Sequence, residues 1–295
     1  MSTSSAPATD CGKAGESAVL MIGSGPSEVH DDFTIMGIVN VTPDSFSDGG
    51  RFFDLGDAVA HALALEAEGA RILDVGGEST RPGADDVEAA EESRRVVPVI
   101  EALVAAGVRA RISVDTSKVD VAVRAVAAGA TLINDVTALR GSPEMAELVA
   151  SSGVEVCLMH MLGNPRTMQE NPRYEDVVAE VKSFLEERMA FAVSHGVAEE
   201  RIILDPGIGF GKTVAHNLEL LRRLPELAAL GRPVLVGTSR KSFIGRLIGT
   251  QTGDRGAGTL ATNVFAYERG ASIFRVHEVR PLREALTVTA AALHG

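Results

Sequence analysis

Arg71-Ile72-Leu73-Asp74-Val75-Gly76-Gly77-Glu78-Ser79-Thr80-Arg81-Pro82-Gly83 is a short apolar run that breaks into a polar, glycine-rich loop. The run does not alternate apolar with polar residues, which is how a strand buried on both faces reads. The pattern recurs at Phe33–Val41, Arg111–Asp115, Thr131–Val136, Glu155–His160, Arg201–Asp205, Pro233–Thr238 and Ser272–His277, eight runs with Arg71–Val75. Between them apolar residues return at helical spacing, as at Val59, Leu63 and Ala67, or Val177, Val181, Phe184 and Leu185, the signature of amphipathic helices laid over a sheet.

Strands alternating with helices call for a parallel sheet with right-handed crossovers. Eight units between residues 31 and 295 suit a closed (β/α)₈ TIM barrel of the α/β class in one domain. Residues 1–30 are expected to form a short disordered N-terminal tail, since the first sixteen or so are rich in Ser, Ala, Thr and Gly without periodicity. A doubly wound open sheet is the structural rival, and it carries a dinucleotide fingerprint after its first strand. Here the first strand leads into Thr42-Pro43-Asp44, and the G-x-G-x-x-A at Gly256–Ala261 follows a loop. Gly207-Ile208-Gly209-Phe210-Gly211-Lys212-Thr213 approaches a P-loop, but Pro206 stands where its first glycine is required.

With 45% apolar residues and a mean hydropathy of +0.13, the chain is long enough for a substantial core. No apolar run approaches the roughly 18 residues that cross a bilayer. No basic segment precedes Lys13, and Ala18–Ile22 is too short for a signal core, so a cytoplasmic location is expected. A net charge of −12 argues against nucleic acid, which requires a dense basic footprint, so any anionic substrate needs a local cluster of cations. Cys11 and Cys157 make no disulfide framework and match no zinc spacing. Cys157 reads as a small core residue.

In a barrel of this kind chemistry sits where the strands end. The polar residues there are Asn40, Asp74, Asp115, Asn134 with Asp135, His160, Asp205, Ser239 with Arg240 and Lys241, and Arg275 with His277. Some must merely cap helices or tie down loops. Together, though, they form the set of carboxylates and amides needed to hold a flat heterocycle by its N–H, NH₂ and C=O groups. Asp205 is the candidate for a guanidine-like edge, with Asp115 and Asn134 on other edges. Arg275 and His277 lie two apart and face the same way. With Asn40 on the neighbouring first strand they suit a diphosphate and its Mg²⁺, an ion that takes one or two protein ligands and keeps several waters. Asp44–Gly50 and Gly76–Gly83 read as loops over the barrel mouth.

On these residues the chain closely resembles the dihydropteroate synthase family. The matching segments are Ile38–Gly50, Gly76–Gly83, Ser113–Thr116, Ile133–Val136, Leu204–Gly207, Ser239–Ser242 and Arg275–His277, in order from about residue 33 onward. The first segment and the Ser79-Thr80-Arg81-Pro82-Gly83 loop are the specific ones. Ile208 stands where many members carry Phe, and Asn164 varies a neighbouring loop; neither touches the expected chemistry.

The resemblance implies that Asp115, Asn134, Asp205 and Lys241 hold a dihydropterin, and that Asn40, Arg275 and His277 bind pyrophosphate with Mg²⁺, Asn40 being the metal ligand. Asn40, Asp115, Lys241, Arg275 and His277 are the implied catalytic set. Phe46, Thr80, Arg81, Pro82, Phe210, Ser239 and Lys241 would form a p-aminobenzoate pocket that sulfonamides also enter. A homodimer is implied as well. A methyltetrahydrofolate-dependent methyltransferase barrel would lack the two loop motifs. A non-catalytic pterin-binding protein would have no reason to keep Asn40, Arg81, Arg275 and His277 together.

Overall fold

A computed structural model describes residues 1–2, 32–42, 55–79, 83–164, 166–250 and 255–294. The tail expected at residues 1–30, apart from its first two residues, lies outside them, as do Phe46, Thr80, Arg81 and Pro82.

Each apolar run read from the sequence forms a strand. They are β1 (Thr34–Asn40), β2 (Ile72–Gly76), β3 (Arg111–Asp115), β4 (Leu132–Asp135), β5 (Glu155–Met159), β6 (Ile202–Asp205), β7 (Leu235–Val236) and β8 (Ile273–Val276). All pairings are parallel, in the order β6-β5-β4-β3-β2-β1-β8-β7. A single parallel bridge between Leu204 and Val234 joins β6 to the chain entering β7 and closes the barrel. β7 is shorter than the run Pro233–Thr238 suggested, because the chain leaves the ladder at Gly237 and turns towards Ser239.

Helices α1 (Leu55–Glu68), α2 (Ala89–Ala105), α3 (Val119–Ala128), α4 (Glu144–Ser152), α5 (Val177–Ser194), α6 (Val214–Arg222), α7 (Pro225–Ala228), α8 (Ser242–Ile248), α9 (Gly256–Tyr267) and α10 (Val279–His294) cover the sheet. Gly256–Ala261 is thus the first part of a helix, not a phosphate-binding turn. No helix among the described residues is long and apolar enough to cross a membrane.

The larger core lies between sheet and helices, where Val39, Leu73, Val75, Val114, Ile133, Val156 and Leu204 meet the buried faces of α1 to α10. Alternation along each strand sends the other set inward. Met36, Ile72, Leu132, Cys157, Ile203, Leu235 and Ile273 form a separate apolar layer inside the barrel, one from each of seven strands. Cys157 is fully buried there, and burial raises its thiol pKa well above the ordinary value, as expected of a packing residue.

Helix α6 shows how local sequence sets the mouth. Thr213 Oγ accepts from the His216 N–H at 3.2 Å, and the Thr213 N–H donates to His216 Nδ1 at 3.3 Å, a capping box. Thr213→Ala is expected to lower stability by about 1 kcal/mol, read as a lower urea midpoint with an unchanged slope.

Candidate active site

Two residues beyond the apolar layer, the same inward faces carry Ile38, Asp74, Asn134, Met159, Asp205, Gly237 and Arg275. The barrel interior therefore changes from hydrocarbon to charge in one step of the pleat. Asp74 is the centre of this polar layer. Its Oδ1 accepts from Ser113 Oγ at 2.6 Å, and its Oδ2 accepts from Asn134 Nδ2 at 3.1 Å and Arg275 Nε at 2.6 Å. Arg275 Nη2 donates to Asp115 Oδ2 at 2.7 Å. One guanidinium thus bridges two buried carboxylates on neighbouring strands. Its Nη1 has no protein hydrogen bond among the described residues.

Burial pushes the Asp115 pKa up to about 7; Arg275 opposes this and Asp74 reinforces it. Asp205, on the far side of the ring, is held by the Gly207 N–H, which donates to its Oδ1 at 2.6 Å. Burial raises its pKa to about 6 against that N–H, Lys241, Lys212 and Arg275. Gly207 has φ +66°, and a Cβ on it would stand 1.9 Å from the His160 carbonyl oxygen. Only glycine lets the turn after β6 lie so close to the end of β5.

Lys241 precedes α8 and is half-buried, its Nζ 3.9 Å from the centre of the Phe210 ring. Burial, with Arg275 nearby, pushes its pKa down to about 8, while Asp205 and Asp115 pull the other way. Phe210 packs with Val136, Met159, Met161 and Met168 in a small apolar cluster beside the charged layer. Carboxylates edge-on and an apolar wall alongside are what a flat, hydrogen-bonding ring system needs.

Ser239 Oγ and His277 Nδ1 are 2.9 Å apart, and the His277 N–H donates to the same Oγ at 3.3 Å. Asn40 ends β1, half-buried, and its side-chain amide makes no hydrogen bond among the described residues. Register pairs Met36 with Arg275 and Gly37 with Val276, so Asn40 stands beyond Arg275 along the barrel axis. The cationic spot read from Asn40, Arg275 and His277 therefore contains an Arg275 whose Nε and Nη2 are already engaged by Asp74 and Asp115.

Other strand-end polar residues are structural. Asp135 accepts from the Thr137 N–H and Oγ1 and from the Leu139 N–H, tying down the loop after β4. Asp74 was legible as a polar strand end, and its parity with Gly76 marks it as inward, but its partners are visible only in three dimensions. In the sequence Lys212 stands out only as part of an incomplete P-loop pattern. It is 2% exposed, next to His160 and Asp205.

Comparison with known proteins gives one result throughout. The pterin binding enzyme family matches residues 36–277. The dihydropteroate synthase of Escherichia coli strain K12 is 51% identical over 259 residues, 88% of this chain and 91% of that protein. Among solved structures, Xanthomonas albilineans dihydropteroate synthase with 4-aminobenzoic acid is similar with a TM-score of 0.84 and 52% identity, covering 90% of this chain and 94% of that one. The Yersinia pestis dihydropteroate synthase in a sulfonamide drug complex is similar with a TM-score of 0.85 and 44% identity, covering 91% and 97%.

Proposed function

Since the chain belongs to the pterin-binding enzyme family, and within it to the dihydropteroate synthases, we propose that the charged layer at the barrel mouth is where a dihydropterin is held for transfer to an arylamine. The chain is a transferase that condenses 6-hydroxymethyl-7,8-dihydropterin pyrophosphate with p-aminobenzoate, giving 7,8-dihydropteroate and pyrophosphate. The carrying observation is the inward cluster of Asp74, Asp115, Asn134, Asp205, Lys241 and Arg275 beside the Phe210 wall.

In this reading Asp205 accepts from the ring N–H and amino group of the pterin, while Asp115 and Asn134 meet its other polar edge. Lys241 faces the bound ring and, with Phe210 and Ser239, borders the arylamine. The family resemblance assigns Phe46, Thr80, Arg81 and Pro82, which lie outside the described residues, to binding the same arylamine. A sulfonamide would take the same place; the similar Yersinia pestis enzyme is solved in a sulfonamide drug complex. p-Aminobenzoate carries a neutral amine at pH 7, so attack needs no strong base. The demand falls on the leaving group. In this reading Arg275 Nη1 and His277 receive charge developing on the departing diphosphate, a contact typically worth on the order of 10²-fold in rate. The electron-rich pterin bears positive charge at its exocyclic carbon, which favours a dissociative path.

Among the described residues no cluster of His, Cys, Asp or Glu would hold a metal. The Asn40 amide at the mouth fits an ion that keeps its waters and rides on phosphate oxygens. Mg²⁺ bound there would neutralise the diphosphate as it leaves. Homodimeric assembly belongs to the proposal on the strength of the family resemblance, and a cytoplasmic location on the lack of a signal-like segment near residues 1–22.

Turnover of the pterin pyrophosphate with p-aminobenzoate, following dihydropteroate and pyrophosphate together, is expected to require Mg²⁺ and to stop with EDTA. Pterin binding without formation of either product would replace the synthase reading with that of a binding protein.

A further inference from the structure

Lys212 ends the glycine-rich turn between β6 and α6. Its Nζ lies 2.9 Å from His160 Nδ1, 2.9 Å from the Phe210 carbonyl oxygen and 3.3 Å from the His160 carbonyl oxygen. Burial, with Lys212 and Arg140 adding to it, drives the His160 pKa down to about 2, so its ring is neutral. Nδ1 facing a cationic donor then carries the lone pair and Nε2 the proton. Three acceptors surround a group with three N–H bonds. An ammonium satisfies all of them, whereas an amine would turn its own lone pair against one. Burial pushes Lys212 down to about 7, Lys241 acts in the same direction, and Asp205 opposes both.

The two backbone contacts fix the turn that carries Gly207 and Phe210. The turn is further held by Gln169 Nε2 donating to the Gly209 carbonyl at 2.7 Å and Tyr174 Oη donating to the Gly211 carbonyl at 2.9 Å. β5 and β6 meet at the same place, where the His160 N–H donates to the Asp205 carbonyl at 3.0 Å.

We propose that Lys212 is a positioning residue for the transfer reaction: its buried ammonium pins the turn after β6 to the end of β5 and supplies counter-charge that keeps Asp205 ionised while the pterin docks. The proposal rests on the assignment of Asp205 to the pterin. The cations acting on Asp205 are Lys212 from this turn, Lys241 from the β7–α8 connection and Arg275 from β8. Those facing or acting on Lys212 are His160 just after β5, Asp205 from β6, Lys241, and His216 from α6, whose pKa is lowered by burial and by Lys212.

The sign follows directly. Pterin binding needs the Asp205 carboxylate, so affinity falls as pH drops through its pKa near 6. Without the Lys212 charge that pKa rises further, and the fall begins at higher pH. Binding of the pterin pyrophosphate is measured by calorimetry from pH 5 to 8 in wild type, Lys212→Met, Lys212→Gln and Lys212→Arg.

The acid midpoint is expected to rise by about one pH unit in the Met and Gln variants, with affinity about fivefold weaker at pH 6 and near wild type at pH 8. The Arg variant is expected to restore the wild-type midpoint. An unchanged midpoint in folded Met and Gln variants overturns the proposal, as does a loss equal at every pH. Where neither variant folds, ¹⁵N NMR of the Lys212 Nζ in wild type decides: an ammonium at pH 6, where Asp205 titrates, supports the proposal and a neutral amine there overturns it. A wild type that binds no pterin at any pH overturns the functional reading instead.

Discussion

Arg275→Met is expected to destabilise the barrel by about 3–5 kcal/mol, the cost of stranding buried carboxylates by removing their cation. Asp74 is wholly buried and Asp115 is 8% exposed, and both accept from this one guanidinium. The variant escapes part of the penalty by protonating Asp115, whose pKa burial already raises to about 7. Without Arg275 to oppose it that pKa rises further above the unfolded value, so the native state binds more protons and stability falls as pH rises. Urea denaturation at pH 5.5 and pH 8 is expected to show the larger deficit at pH 8. Equal deficits would mean that the Arg275 stem, not its charge, was what mattered. Turnover is expected to fall at least 10²-fold through loss of the diphosphate contact.

Asp205→Asn separates recognition from folding more cleanly. The side chain keeps its shape, and its Oδ1 still accepts from Gly207. What is lost is a charged acceptor for two pterin donors, each such hydrogen bond being worth about 1.5–3 kcal/mol. Pterin affinity is expected to drop at least ~100-fold, with the Tm little changed. Wild-type affinity should fall as pH drops through about 6, the value to which burial raises Asp205, whereas the Asn variant should show no such limb. Undiminished calorimetric binding would remove Asp205 from the pterin site.

The barrel was legible because its strands are buried on both faces, which leaves short runs without alternation of apolar and polar residues, such as Ile72–Gly76 with every residue buried. The inward direction of Asp74, Asn134, Asp205 and Arg275 was legible too, from the two-residue period counted from Ile72, Leu132, Ile203 and Ile273. The pairing was not. Nothing in the spacing of Arg275 says that its guanidinium reaches across to β2 and β3 rather than up towards Asn40. Lys212 was illegible for another reason: two of its three acceptors are backbone carbonyls, and every residue has one.

The hydrocarbon layer formed by Met36, Ile72, Leu132, Cys157, Ile203, Leu235 and Ile273 makes the space above it a blind well. These seven side chains pack against one another almost fully buried and close the barrel interior beneath the charged layer. On the proposed assignment the pterin, whose partners lie deepest, is expected to arrive before the arylamine nearer the rim, and a product still held by Asp115, Asn134 and Asp205 queues behind whatever sits over it. Sequence of arrival and departure is, on this view, a matter of depth.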